Sequence, residues 1–133
     1  MEIDKIAWIF VKKSKVLSTI SKGKDAYYIP GGKREAGESD EQALAREVRE
    51  ELSVDLIPST IKLYGTFRAQ AHGKEKGTIV KMTCYTAKFK GKLKPAAEVE
   101  KIVWITASDA DSDRSSPVDK IILANLKEKN LID

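Results

Sequence analysis

The chain has 133 residues, of which 41% are hydrophobic and 33% are charged. This balance is typical of a soluble globular protein and argues against intrinsic disorder. No stretch approaches the roughly 18 consecutive apolar residues that a membrane-spanning helix needs. The net charge of +4 is mild, and it would attract polyphosphate ligands or tolerate nucleic acid without selecting between them.

The length predicts a single domain over residues 1–133. Cys84 is the only cysteine, so the chain cannot form an internal disulfide. The N-terminal segment carries charges of both signs and turns apolar only briefly, which is typical of a strand and not of a signal peptide. We therefore expect a cytoplasmic protein with no membrane partner.

Strand-forming residues dominate the N-terminal part of the chain. Residues 5–11 and 16–20 are apolar and are separated by a polar turn, a pattern that predicts a β-hairpin. A short strand over residues 26–29 then leads into a Pro-Gly-Gly sequence, which ends strands and permits unusual backbone angles.

A helix is predicted from about Asp40 to Leu52. Ser39 is a candidate N-cap, and Gln42 three residues later completes a capping box. Apolar residues recur one helical turn apart and predict a buried stripe, formed by Leu44, Val48 and Leu52.

The remainder of the chain predicts three more strands and a closing helix. Residues 61–70 and 78–89 alternate apolar and polar side chains around a glycine-bearing loop, and residues 99–105 add a third strand. Ser116 is predicted to cap the last helix, with Pro117 at its first position. Strands covered by two helices indicate an α/β layered domain. Four residues are predicted to seat the last helix on the sheet: Ile121, Ile122, Ala124 and Leu126.

The most informative segment, residues 32–54, is rich in carboxylates. Glu47, Glu50 and Glu51 fall within one arc of the predicted helix about 100° wide. Like charges at this spacing repel each other, so a bound cation is the simplest reason for such a face. Carboxylate oxygens are hard ligands that suit Mg²⁺ or Mn²⁺. The segment therefore predicts a divalent metal site beside the apolar stripe.

The same segment resembles the Nudix box, G-x5-E-x7-R-E-U-x-E-E-x-G-U, in which U is a bulky aliphatic residue. Ser53 is the one departure, because the family usually has glycine there. Serine at a left-handed helix end is expected to cost some stability and to leave the ligands untouched. The resemblance implies a Nudix-type α/β/α sandwich with a mixed β-sheet, a box helix and a C-terminal helix. The matching positions are Gly32, Glu38, Arg46, Glu47, Val48, Glu50, Glu51 and Val54.

The resemblance also implies roles for the charged residues of the helix. Glu47 and Glu51 would be the principal metal ligands, with Glu50 as a further ligand or as the general base. Between the two candidates for the base, Glu47 ranks ahead of Glu50. Arg46 would orient a glutamate.

Residues outside the helix complete the implied site. The carbonyl of Gly31 resembles the backbone metal ligand of the family, while Gly32 and Glu38 would support the junction between loop and helix. An additional glutamate often arrives from a downstream loop, and Glu98 and Glu100 are the candidates here. For these two, an ordinary charged loop is the competing interpretation.

The implied activity is that of a Mg²⁺- or Mn²⁺-dependent pyrophosphohydrolase acting on a nucleoside diphosphate linked to another group. The small size favours nucleoside triphosphates, either standard or oxidised, cleaved to a monophosphate and pyrophosphate. Dinucleoside polyphosphates, ADP-ribose and nucleotide sugars stay open as substrates. The rival class is a non-catalytic Nudix-fold module that binds a nucleotide or RNA, but the retained glutamates argue against it. A nucleic-acid partner is therefore disfavoured.

Five other residues have two interpretations each. His72 is predicted to be an exposed loop residue, with a substrate contact as the alternative. Cys84 is predicted to pack in the core, and not to act as a nucleophile. Trp8, Tyr27 and Tyr28 are predicted to pack in the core, although one of them could stack on a nucleobase.

Overall fold

The computed structural model describes residues 1–71 and 73–133, so the prediction for His72 lies outside the described residues. Within them the chain forms ten strands and two α-helices. In chain order these are β1 (Glu2–Trp8), β2 (Val11–Lys12), β3 (Lys15–Ser21), β4 (Tyr27–Tyr28), β5 (Gly31–Gly32), α1 (Asp40–Leu52), β6 (Asp55–Leu56), β7 (Lys62–Gln70), β8 (Ile79–Thr86), β9 (Phe89–Lys90), β10 (Val99–Ile105) and α2 (Pro117–Glu128).

The strands form two main sheets. The first has the order β5-β1-β8-β7 and is mixed, because β1 and β8 run parallel while the other neighbours are antiparallel. The second has the order β10-β3-β2, with β4 also paired to β3. Strands β6 and β9 form a separate two-stranded ribbon.

Strand β1 lies between two hydrophobic clusters because its side chains alternate in direction. Ile6 and Trp8 are fully buried and belong to the cluster that includes the apolar side of α1. Ala7 belongs to the other cluster, which includes the apolar side of α2. One helix therefore covers each side of the strand layer, and the predicted α/β/α arrangement is confirmed.

Helix α1 has the bounds that its sequence predicts. The backbone N–H of Gln42 donates to the Ser39 hydroxyl at 3.2 Å, and the Gln42 side chain accepts from the N–H of Ser39 at 2.9 Å, which completes the capping box. The predicted stripe of Leu44, Val48 and Leu52 is fully buried. The local signals in this segment agree with its packing.

The predicted N-terminal hairpin is only partly correct. Strand β1 ends at Trp8 and pairs with β5 and β8, and only the short β2 pairs with β3. The change of sheet occurs between neighbouring residues: the N–H of Ile9 donates to the carbonyl of Tyr85 at 2.8 Å, whereas the carbonyl of Phe10 accepts from Leu17 at 2.9 Å. Residues 5–11 are therefore divided between two sheets. The strand predicted over residues 78–89 is likewise divided, into β8 and β9.

The predicted contact face of α2 needs a correction. Ile122 and Leu126 are buried as predicted, but Ile121 is 44% exposed and Ala124 is also exposed. A helix with 3.6 residues per turn places one arc of side chains on the core, and Ile121 and Ala124 fall outside it. The buried arc consists of Val118, Asp119, Ile122, Leu123 and Leu126. In the described part of the chain, neither helix is long and apolar enough to cross a membrane.

Candidate active site

The three glutamates of the helical arc line one side of a cleft of about 240 Å³. Glu98 lines its other side, at the turn that precedes β10. Glu100 is exposed and is not among the described residues that line the cleft. The pairing of β10 with β3 shifts register between Val99 and Lys101, so Glu100 is the extra residue of an irregularity in the ladder. Of the two downstream candidates, the structure brings only Glu98 to the cleft.

Gly31 connects the first sheet with α1 through Glu51. The N–H of Trp8 donates to the carbonyl of Pro30 at 2.9 Å. Because hydrogen-bonded and non-bonded pairs alternate in an antiparallel ladder, the N–H and C=O of Gly31 face away from β1. Its N–H donates to Oε1 of Glu51 at 3.1 Å. The backbone of Gly31 thus faces the acidic cleft.

Both glycines at this point are required by close approaches. Gly31 has a φ of +150°, and a Cβ there would collide with the backbone oxygen of Ile6. A Cβ on Gly32 would lie 2.6 Å from the carboxyl carbon of Glu47. Only residues without a side chain allow the strand to reach β1 and the carboxylate to approach the strand.

Arg46 forms hydrogen bonds with the loop before α1 and with one of the glutamates of the cleft. Its Nε donates to Oε2 of Glu38 at 2.7 Å, and one terminal nitrogen donates to the carbonyl of Lys33 at 3.1 Å. Its other terminal nitrogen donates to Oε1 of Glu47 at 3.0 Å and lies 3.5 Å from Glu50. The guanidinium holds the pKa of Glu38 down at about 2. Glu38 therefore stays ionised, and Arg46 connects it through hydrogen bonds to Glu47 at the cleft.

A second arginine holds the same loop from its other side. Arg34 forms an ion pair with Asp4 of β1 at 3.2 Å and another with Asp40 at the start of α1. The hydroxyl of Tyr85 on β8 also donates to Asp40. This network was not predicted, because no local pattern connects residues of β1, β8 and the loop.

Burial dominates the electrostatics of the cleft. It raises the pKa of Glu51 to about 7, and it also raises the pKa of Glu47. The neighbouring carboxylates raise these pKa values further but to a smaller degree, so the mutual repulsion expected from the sequence is the secondary cause. Carboxylates that are partly desolvated and close to one another gain strongly from a cation.

The donor groups are carboxylate and carbonyl oxygens, which are the type of ligand that a hard divalent cation prefers. Glu47 and Glu51 lie one helical turn apart on the cleft, and the carbonyl of Gly31 is free of the β1 ladder. Among the described residues, no three acidic, histidine or cysteine side chains meet closely enough to enclose an ion. Any ion would therefore also need backbone, water or substrate oxygens, which is how Mg²⁺ is usually held.

A larger cavity of about 340 Å³ adjoins the cleft, and the two share Ser21, Tyr28, Ile29 and Gly31 as lining residues. Asp119 of α2 lines this cavity and is only 2% exposed. Its Oδ2 accepts from the N–H of Ile29 at 3.3 Å, and burial raises its pKa to about 7.

Asp119 is a functional candidate that the sequence did not reveal, because an acidic residue three positions after the Ser116 cap is ordinary in the first turn of a helix. The available signal was a carboxylate within the apolar arc of α2, between Val118 and Ile122. A buried charge in such an arc is costly unless it has a partner or a role.

The aromatic residues and the cysteine have different surroundings. Trp8 is fully buried and stacks on Phe10 with ring centroids 5.2 Å apart, so its packing role is confirmed. Tyr27 lies under the guanidinium of Arg114, whereas Tyr28 lines both the cleft and the cavity. Cys84 is buried as predicted, and burial raises the pKa of its thiol to about 12.

The comparison with known families decides the assignment. The model of the NUDIX domain family matches residues 5–126. The chain belongs to the NUDIX domain family. As a Nudix hydrolase it is an enzyme that acts on pyrophosphate bonds, and its family generally uses a divalent metal ion. The predicted family, fold and enzyme class are confirmed.

Solved structures agree with the fold over nearly the whole chain. The chain is similar to the ORF135 protein of E. coli, with 26% identity, a TM-score of 0.72, and coverage of 99% of this chain and 95% of that one. It is also similar to the MutT protein of Bacillus halodurans, with 23% identity, a TM-score of 0.71, and coverage of 97% and 84%. A third similar structure is the MutT protein of Methanosarcina mazei, with 15% identity, a TM-score of 0.74, and coverage of 97% and 95%. No curated protein matches the chain significantly.

Proposed function

We propose that this Nudix hydrolase uses Mg²⁺ or Mn²⁺ to hydrolyse nucleoside triphosphates, either standard or oxidised, to a monophosphate and pyrophosphate. The observation that carries the proposal is the continuity of the acidic cleft with the 340 Å³ cavity. A cavity of this size is at the lower end of ligand pockets and suits one base. The cleft beside it suits phosphates and a cation.

The size of the cavity supports triphosphates over larger substrates. Its volume of about 340 Å³ leaves little room for a second nucleoside or sugar beside one base. Two of the similar structures are named MutT proteins. Their likeness supports the shared fold, and the cavity supports a single base.

In this proposal the cation is held by Glu47, Glu51 and the carbonyl of Gly31, with Glu50 and Glu98 alongside. When bound, a divalent cation neutralises phosphate charge and lowers the pKa of a coordinated water. Glu47, which Arg46 orients, is the first candidate to accept the proton of the attacking water, and Glu50 is the second.

The cavity would recognise the base through two of its lining residues. The carboxyl group of Asp119 lies on the cavity wall and would accept a hydrogen bond from an amino or ring N–H group. Tyr28 is half-buried where cleft and cavity meet and could provide a stacking face. Both roles are specific enough to be tested by substitution.

A nucleotide panel tests the proposal. The protein is incubated with Mg²⁺ and, separately, with standard triphosphates, 8-oxo-dGTP, ADP-ribose and diadenosine tetraphosphate, and the products are separated by chromatography. We expect a monophosphate and pyrophosphate from one or more triphosphates. Intact triphosphates together with cleavage of ADP-ribose or the dinucleotide would contradict the substrate assignment.

A further inference from the structure

Lys5 occupies an unusual position on β1, one of the two inner strands of the first sheet. Strand β1 lies between β5 and β8, and its residues alternate between the two sides. Ile3 and Ala7 contact the hydrophobic cluster on the α2 side. Lys5 lies between them on the same side, is half-buried, and lines the 340 Å³ cavity. A lysine among inward-facing apolar residues is costly unless its ammonium group has a partner.

The ammonium group of Lys5 acts on carboxylates at both ends of the site. It stabilises the ionised forms of Glu51, in the cleft, and of Asp119, in the cavity. These two carboxylates accept from the N–H groups of Gly31 and Ile29, which are two residues apart, so one short backbone segment positions both. Within residues 1–71 and 73–133, Lys5 has no carboxylate oxygen within the 4.0 Å of a salt bridge. Lys5 lines the cavity but not the cleft, so its charge is available to a ligand on the cavity side of their junction.

The proposed function, on which the inference rests, determines which part of a nucleotide lies at this junction. With the base in the cavity and the terminal phosphates in the cleft, the junction receives the sugar and the phosphate attached to it. The glutamates of the cleft repel phosphate, and an added cation at the terminal phosphates leaves the sugar-linked phosphate in need of a protein cation. Lysine serves as a point charge for phosphate.

We propose that Lys5 binds the sugar-linked phosphate of the substrate, the phosphate that the monophosphate product retains. Lys5 is thus a specificity-determining residue, because it favours nucleotides over uncharged nucleosides in the cavity. Lys24 and Lys74 also line the cavity but are exposed, so their charges are more strongly screened by water.

The experiment compares two ligands that differ only in this phosphate. Deoxynucleoside 5′-monophosphates of the four standard bases and the matching deoxynucleosides are titrated into the protein in EDTA, with binding followed by NMR shifts. For Lys5→Met we expect the affinity for the monophosphate to fall about 10- to 100-fold and the affinity for the nucleoside to change little. Lys5→Arg retains most of the monophosphate affinity.

Lys81→Met is the matched control. Lys81 is a half-buried lysine on the neighbouring strand β8, where it lies opposite Asp4 in the register of β1 and β8. Its charge acts on Asp40, which is on the side of the sheet away from Lys5. We expect its ratio of monophosphate to nucleoside affinity to equal that of the parent protein. Thermal unfolding verifies that each variant folds, and Lys5→Gln replaces Lys5→Met if the latter does not.

The outcomes separate this inference from the proposed function. An unchanged ratio in Lys5→Met (or in Lys5→Gln where it replaces Lys5→Met), or an equal loss for nucleoside and monophosphate, would overturn the role of Lys5 while leaving the proposed function intact. A parent protein that binds none of the monophosphates and hydrolyses no triphosphate would overturn the proposed function and the role of Lys5 with it.

Discussion

At the scale of single residues, a half-buried carboxyl group and a buried one dominate the site, and both accept hydrogen bonds from one short segment of backbone. Glu51 and Asp119 accept hydrogen bonds from Gly31 and Ile29, and burial raises the pKa of each to about 7. Groups that are costly to bury and have strongly shifted pKa values are concentrated at functional sites. The two acids mark the cleft and the cavity respectively.

Glu51→Gln tests the cleft with a change that keeps the shape of the side chain. The amide is a poor ligand for a hard cation, so we expect kcat to fall at least about 100-fold, the scale of a lost catalytic group. Folding should be retained, because removal of a buried carboxylate relieves desolvation. Glu41→Gln, on an exposed position of the same helix, serves as the control in steady-state assays. Equal activity of the two variants would contradict a role of Glu51 in metal binding.

Asp119→Asn tests the cavity through the pH dependence of stability. The folded state binds the Asp119 proton more tightly than the unfolded chain does, because the pKa is about 7 in the folded state against 3.8 ordinarily. The free energy of unfolding therefore falls as pH rises from about 4 to about 7 and levels off above that range. Between pH 5 and pH 8 we expect the parent to lose about 3 kcal/mol more than the variant. Urea denaturation at both pH values measures this difference, and equal losses would show that folding does not raise the pKa of Asp119.

At the scale of elements, the box helix is held at both ends by contacts from distant parts of the chain. Arg34 and Tyr85 hold its first residue, Asp40. At its other end Ser53 has a φ of +65°, and its hydroxyl donates to the carbonyl of Lys94 at 3.1 Å. The serine that departs from the box pattern thus connects the helix to the segment that leads to Glu98. It does more than occupy a position suited to glycine.

Substitutions of Ser53 separate backbone strain from this hydrogen bond. Ser53→Ala keeps the left-handed conformation and removes the bond, so we expect a loss of about 1 kcal/mol in the free energy of unfolding. Ser53→Gly removes the bond as well, but it relieves a left-handed strain of about 1 kcal/mol, so its stability should lie within about 0.5 kcal/mol of the parent. Urea denaturation provides the comparison. An alanine variant as stable as the glycine variant would contradict the left-handed assignment.

The elements that the sequence predicts correctly are those specified by local signals. The capping box of Ser39 and the buried stripe of α1 lie within one segment. The bounds of the helix are therefore predicted correctly from that segment alone. The hairpin was only partly correct because tertiary packing determines the partners of β1 and separates Ile9 from Phe10. Asp119 was missed for the same reason, since its cavity is formed by residues far apart in sequence.

At the scale of the whole molecule, the net charge of the protein and the charge of its cleft have opposite signs. The chain carries a net charge of +4, yet the cleft is lined by four glutamates, Glu47, Glu50, Glu51 and Glu98. A basic protein attracts a polyphosphate from a distance, while its acidic cleft would repel the same ligand at contact. A divalent cation that enters the cleft resolves this opposition, because it turns the repelling surface into a binding surface.

A cation that binds the folded state alone stabilises the protein against unfolding. A cation at ten times its dissociation constant stabilises the fold by about 1.4 kcal/mol, which raises Tm by roughly 3–6 °C for a domain of this size. We expect Mg²⁺ or Mn²⁺ to raise Tm in the parent protein, EDTA to reverse the rise, and NaCl at equal ionic strength to leave Tm nearly unchanged. The double variant Glu47→Gln/Glu51→Gln should lose the rise because the carboxylate ligands are gone. An equal rise in this variant, measured by differential scanning calorimetry, would place the cation elsewhere on the protein.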